Sequence, residues 1–136
     1  MKDESGKTWG IRERSFEYAL RAVKLFRATQ VRKDAAGRML GKQYLPSATS
    51  TGANIEEAQS GESRADFIHK YGIAQKEARE SLFWLRLIAE SGILTRRQLD
   101  PLLRETNELI AVITAIIVRT KKNGGKDEVK KMKADV

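Results

Sequence analysis

The chain has no cysteine, a single histidine and only two prolines. Without cysteine it forms no disulfide and no thiolate metal site, which suits a reducing compartment. No apolar run approaches the roughly 20 residues of a membrane-spanning helix. The longest candidate, Leu109 to Val118, is about half that length and reads as buried helix. The opening MKDESGKTWG lacks the apolar core of a signal peptide. A cytoplasmic protein with no membrane partner is therefore expected.

The missing residue types also narrow the chemistry. Asp66 and His69 share a helix face, like half of a di-iron motif, but the chain has no second histidine to complete one. His69 falls off the apolar seam and reads as a surface side chain. A serine nucleophile needs an adjacent base and a third, orienting group, and no such set is present. Glu56 with Glu57, and Glu77 with Glu80, read as solvated helix surface rather than as acid–base pairs. The expectation is a protein that is not an enzyme, with no cofactor and no metal.

What the chain does have is positive charge. Its 26 Lys and Arg against 18 Asp and Glu leave a formal charge of +8 over 136 residues. That sign favours polyanions, RNA or DNA foremost. From Arg119 onward there are seven basic and three acidic residues, so about half of the net charge lies on the last segment.

The length suits one domain. Residues 1–12 read as a flexible arm, 13–120 as a helical domain and 121–136 as a basic disordered tail too polar to bury a core. The first helix is expected over about Glu13 to Lys33. Phe16, Leu20, Val23 and Phe26 or Arg27 mark its inward face, with Arg14, Arg21, Lys24 and Arg32 opposite. Asp34 to Gly37 reads as a turn.

A second helix is expected from about Arg38 to Gln59, with Tyr44, Leu45, Ala48, Thr51, Ile55 and Ala58 inward. Pro46 either kinks it or marks its start, since an interior proline costs about 3 kcal/mol. Asn54 and Glu57 lie among small residues. Asn54 fixes helix register or bonds backbone near Pro46; its functional alternative is a ligand contact near a channel.

Gly61 to Ser63 breaks the chain, and Ser63 with Asp66 resembles a capping box. A third helix runs to about Glu90 on the seam Phe67, Tyr71, Ala74, Ala78, Ser81, Leu85 and Ile88. A second stripe, Ile73, Phe83, Trp84 and Leu87, calls for a subunit interface. Gly92 supplies the stop. A fourth helix starts between Thr95 and Pro101, with Leu99, Leu102, Thr106, Leu109, Ile113 and Ile116 inward. Four helices on short turns predict an all-α, antiparallel up-down bundle. Lys121, Lys122, Lys126, Lys130 and Lys131 in the tail join the helix-one cations as candidate phosphate contacts.

Three segments carry a family pattern. They are Ser47-Ala-Thr-Ser-Thr-Gly-Ala-Asn54-Ile-Glu-Glu57-Ala58, Ser63-x-x-Asp66-Phe67-Ile68-x-Lys70, and Ala74-x-Lys76-Glu77-Ala78-x-Glu80-x-x-x-Trp84-Leu85. Together they resemble the four-helix proteins of the 23S rRNA intervening-sequence family, long labelled S23 ribosomal proteins. The resemblance implies a left-handed four-helix bundle that assembles as a ring-shaped homo-oligomer, a homopentamer around a pore. It also implies kinship with the accessory variability determinant of diversity-generating retroelements, a basic barrel that binds nucleic acid and a reverse transcriptase. Pro46 departs from the family, which usually has a helix-compatible residue there. The functional expectation is a non-catalytic oligomer that binds nucleic acid. The alternative is a scaffold that recruits a protein such as a reverse-transcriptase-like enzyme.

Overall fold

Gly61 and Gly92 each separate two long helices in the computed structural model, which describes residues 10–134 and their side chains up to Gly124, Thr29 excepted. Among the described residues there are five helices and no strand: α1 (Ile11–Phe26), α2 (Thr29–Lys33), α3 (Ala35–Ala58), α4 (Arg64–Ser91) and α5 (Arg96–Ala134). The all-α expectation holds. No helix among these residues is long and apolar enough to cross a membrane.

The helix ends follow local chemistry. Ser63 Oγ accepts from the Asp66 amide at 3.1 Å and caps α4. Gly92 ends α4 at φ 78°, in the left-handed region that glycine enters without steric cost. Thr95 and Gln98 form a reciprocal capping box: the Gln98 amide donates to Thr95 Oγ1 at 3.2 Å, and the Thr95 amide donates to Gln98 Oε1 at 2.9 Å. Asp34, expected in a turn, is the N-cap of α3 and accepts from the Gly37 amide at 3.2 Å.

The expected first helix is two helices. Ala28 is extended, at φ −62° and ψ 138°, and α2 starts afresh after it. Burial explains the break. In one continuous helix Val31, nine residues beyond buried Ala22, would point about 180° away from the core. Turned at Ala28, Val31 is 1% exposed and packs beside Gly37 and Gly41.

The inward face of α1 also differs from expectation. Ser15, Tyr18 and Ala22 are buried, whereas Phe16 is 71% and Leu20 38% exposed. Hydroxyl-bearing residues take the inward positions because their polar atoms are paired there. Ser15 Oγ donates to Arg12 O at 3.1 Å, and no buried side-chain polar atom lacks a partner among the described residues.

Helix α3 continues through Pro46, which is exposed, so the helix does not start there. Tyr44, Ala48, Thr51, Ile55 and Ala58 are buried as expected, and Leu45 is half-buried. The seams of α4 and α5 hold as well, with Tyr71, Ala74, Ala78, Ser81, Leu85 and Ile88 facing the core. Leu99, Leu102, Thr106, Leu109 and Ile113 join them; Phe67 and Ile116 are half-buried.

Helix α3 packs on α1, α2 and α4; α5 packs on α4 and α1. Between α1 and α3 the partners run in opposite order, Arg12 with Glu56 and Tyr18 with Tyr44. At residue 52 the backbones of these helices approach closely. A β-carbon on Gly52 would sit 3.1 Å from the Ser15 carbonyl oxygen. The pairs Ser47–Ser81 and Gln75–Thr114 link α3 to α4 and α4 to α5.

The backbone from Lys121 to Ala134 continues α5, where the composition had implied a disordered tail. A helix already nucleated by packed residues adds one hydrogen bond per further residue, so propagation needs far less favourable sequence than initiation.

Candidate nucleic-acid interface

The break at Ala28 does more than bury Val31. It folds a linear run of cations back on itself. Lys24 and Arg27 end α1, Arg32 and Lys33 lie on α2, and Arg38 and Lys42 open α3; all six are exposed. Arg38 Nη1 donates to the Arg32 carbonyl oxygen at 3.3 Å and ties α3 to α2 at this corner. Among the described residues, no carboxylate forms an ion pair with any of the six. The α4–α5 turn meets the same end. A shallow groove of about 550 Å³ there is lined by Gln30, Lys33, Asp34, Ser91, Gly92 and Ile93.

Only part of the expected basic set belongs to this corner. Lys24 and Arg32 lie on it, and Arg21 is half-buried just below. Arg14 lies apart from it. It is part-buried between α1 and α5, where Nε and Nη2 each donate to a Glu105 oxygen at 3.1 Å and Nη2 donates to Glu108 at 2.7 Å. Its side chain is 12% exposed and that of Glu105 10%. The hydrogen bond to Glu105 foremost holds the guanidinium pKa above its usual value. A bidentate carboxylate leaves little of Arg14 for a phosphate.

Lys121 and Lys122 are exposed but sit far away, because Gly124 near them packs against Arg64 at the start of α4. The 28 residues of α4 place about 42 Å between that end and the basic corner. The side chains of Lys126, Lys130 and Lys131 lie outside the described residues. Lys121 and Lys122 thus lie at the other end of the molecule from Lys24 and Arg32.

Arg27, Lys33, Arg38 and Lys42 were missed from the candidate set. A running charge count would have found them: residues 21–42 carry seven cations and one carboxylate. Reading each helix as its own unit hid that run.

The expected interface residues lie elsewhere. Phe83 is 54% and Leu87 39% exposed on α4. Trp84 is half-buried, donates from Nε1 to Glu80 at 3.3 Å and meets the Phe83 ring edge-on at 5.0 Å. Burial, then the nearby Glu80 charge, pushes the Glu77 carboxyl above its usual value. Asn54 is half-buried and bonds within its own helix, donating to the Ser50 carbonyl oxygen at 2.8 Å and to Ser50 Oγ at 3.1 Å. Glu57 is exposed. Between α1 and α3 an open groove of about 990 Å³ is floored by Phe16, Ala19, Gly52 and Ala53 and rimmed by Glu13 and Glu17. No cluster of His, Asp or Glu suited to a metal is present among the described residues, and His69 is exposed.

Residues 7–115 match the family described as 23S rRNA-intervening sequence protein. The chain belongs to this family. A crystal structure of a protein with unknown function from the S23 ribosomal protein family of Bacteroides thetaiotaomicron VPI-5482 is 37% identical to it. The match covers 79% of this chain and 98% of that one, with a TM-score of 0.73. No curated protein matches the chain. The resemblance read from the Ser47–Ala58 and Ala74–Leu85 segments is thereby established, and neither description names a reaction.

Proposed function

We propose that this family member is a non-catalytic, oligomeric nucleic-acid-binding protein of the cytoplasm. In this reading α1, α3, α4 and α5 form a left-handed up-down bundle that assembles into a ring. The observation that carries nucleic-acid binding is the corner of six exposed cations from α1, α2 and α3, none ion-paired among the described residues. Lys and Arg contacts to phosphate give affinity independent of base sequence, and a ring multiplies a modest patch. The exposed Phe83 and Leu87, with Phe16 on another helix, favour self-association. Lys121 and Lys122 add a second, smaller contact at the far end.

The test is a titration of labelled RNA and DNA with nuclease-treated protein, read by anisotropy at low and near-physiological salt. The reading expects binding that weakens log-linearly with salt. No binding at low salt would leave the charge as solubility alone. The groove between α1 and α3 favours a second reading, a scaffold for a protein helix. Purified protein would then ignore nucleic acid.

A further inference from the structure

The six cations of the basic corner differ from a flexible basic tail in being mounted on helices at fixed spacing. Arg38 and Lys42 are one turn apart on α3, about 6 Å between their β-carbons. Lys24 in the last turn of α1 and Arg27 at its C-cap are likewise close, and packed helices stand about 8–10 Å apart. Arg38 is further held to the Arg32 carbonyl. The result is an array of charge with about 6–10 Å between points, spread over three helices.

Stiff arrays and single strands suit each other poorly. Proteins that hold single strands add aromatic rings on which unpaired bases stack. Among the described residues the corner exposes none. Phe26, the one aromatic between Arg21 and Lys42, is half-buried, and its ring lies against the Gly41 backbone, where a β-carbon would come within 2.8 Å. The exposed Phe16 lies more than two turns below Arg27 on α1, and Phe83 is on α4. A duplex offers the denser line of phosphates, about one charge per 1.7 Å of axis, on a rigid frame. Phosphate contacts alone carry no base information.

We propose that the basic corner grips the phosphate backbone of a double helix, without base readout and in preference to a single strand. This rests on the reading of the protein as nucleic-acid binding and specifies the form bound. Arg38 acts as a positioning residue for α2 as well as a phosphate contact.

The experiment titrates the full-length protein against a labelled duplex RNA, a duplex DNA, each matched single strand, and vesicles with an anionic lipid, across a salt series. The proposal expects the two duplexes to bind alike and about tenfold more tightly than the single strands, with a log–log salt slope of about −5 if all six cations engage. The variant Arg32→Gln/Lys33→Gln/Arg38→Gln should lower the slope to about −3. A charge-keeping variant, Arg32→Lys/Lys33→Arg, should retain duplex binding, which separates lost charge from a disturbed fold. Single strands bound as tightly as duplexes would overturn the duplex preference while leaving nucleic-acid binding intact. Vesicles bound more tightly than duplex would overturn the choice of partner. No binding to any nucleic acid would remove the underlying reading too.

Discussion

The Tyr44 hydroxyl donates to the Tyr18 hydroxyl at 3.0 Å inside the protein, and this bond has only one direction. Thr106 Oγ1 donates its proton to the Leu102 carbonyl at 2.7 Å, so Tyr18 must donate to Thr106 at their 2.7 Å contact. The proton of Tyr44 then points at Tyr18. A chain of hydroxyls thus runs from α3 through α1 to α5 and ends on a backbone carbonyl.

The direction predicts unequal costs for similar changes. Tyr44→Phe removes the first donor and leaves every other proton paired, at about 1 kcal/mol. Tyr18→Phe strands the Tyr44 proton in the core and should cost about 2–3 kcal/mol. Denaturant midpoints at unchanged m-value report the order. Equal losses would mean that the chain has no fixed direction.

These two tyrosines and Tyr71 predict a response to alkali. Burial foremost raises the pKa of Tyr18, Tyr44 and Tyr71, with Tyr44 pushed well above the ordinary value. The folded protein therefore keeps protons that the unfolded chain loses near pH 10. The stability they contribute is present below that pH and falls as pH rises through the unfolded value. Tyrosinate absorbance should appear together with loss of helix. Three tyrosines titrating near pH 10 in folded protein would contradict this.

The long helices were legible because the seams of α4 and α5 repeat apolar residues three and four apart, and because Ser63, Gly92 and Thr95 act through local chemistry. The face of α1 was not legible. Its inward residues are Ser15, Tyr18 and Ala22, while the larger apolar Phe16 and Leu20 point out. Counting apolar residues fails where buried hydroxyls are paired and larger apolar side chains stay exposed. The break at Ala28 depends on Val31 reaching Gly37 and Gly41, a tertiary gain that local propensity does not register. The basic corner was half visible, because its charge run crosses two helix boundaries.

Two glycines inside helices should respond oppositely to alanine. A β-carbon on Gly37 would lie 2.9 Å from the Val31 carbonyl oxygen, and that atom is backbone held by α2. Gly72 in α4 has nothing within 4 Å of the same position. Gly37→Ala should destabilise by about 1–3 kcal/mol as the α2–α3 junction yields. Gly72→Ala should stabilise by up to about 1 kcal/mol through helix propensity. Melting temperatures of the two variants against the parent decide it.

The outward apolar face of α4 makes a prediction about assembly. Phe83 and Leu87 are one turn apart and both exposed. If they bury against another subunit, Phe83→Glu/Leu87→Glu should drive the protein to monomer in sedimentation velocity while far-ultraviolet circular dichroism stays unchanged. A parent protein that sediments as monomer at all concentrations would end the ring reading.

Arg14 and Arg32 offer the sharpest contrast between structural and functional cations. Both were expected to contact phosphate. Arg14 is held by Glu105 in a half-enclosed setting, so Arg14→Ala leaves a poorly solvated carboxylate unpaired and should cost about 3 kcal/mol. Its effect on the salt slope of nucleic-acid binding should be nil under conditions where the variant is folded. Arg32 is exposed and offers its carbonyl, not its guanidinium, to Arg38. Arg32→Ala should leave the melting temperature within experimental error and reduce the salt slope by about one. The two variants therefore separate on two independent axes. A slope change in Arg14→Ala, or a large stability loss in Arg32→Ala, would show that the cations had been assigned the wrong way round.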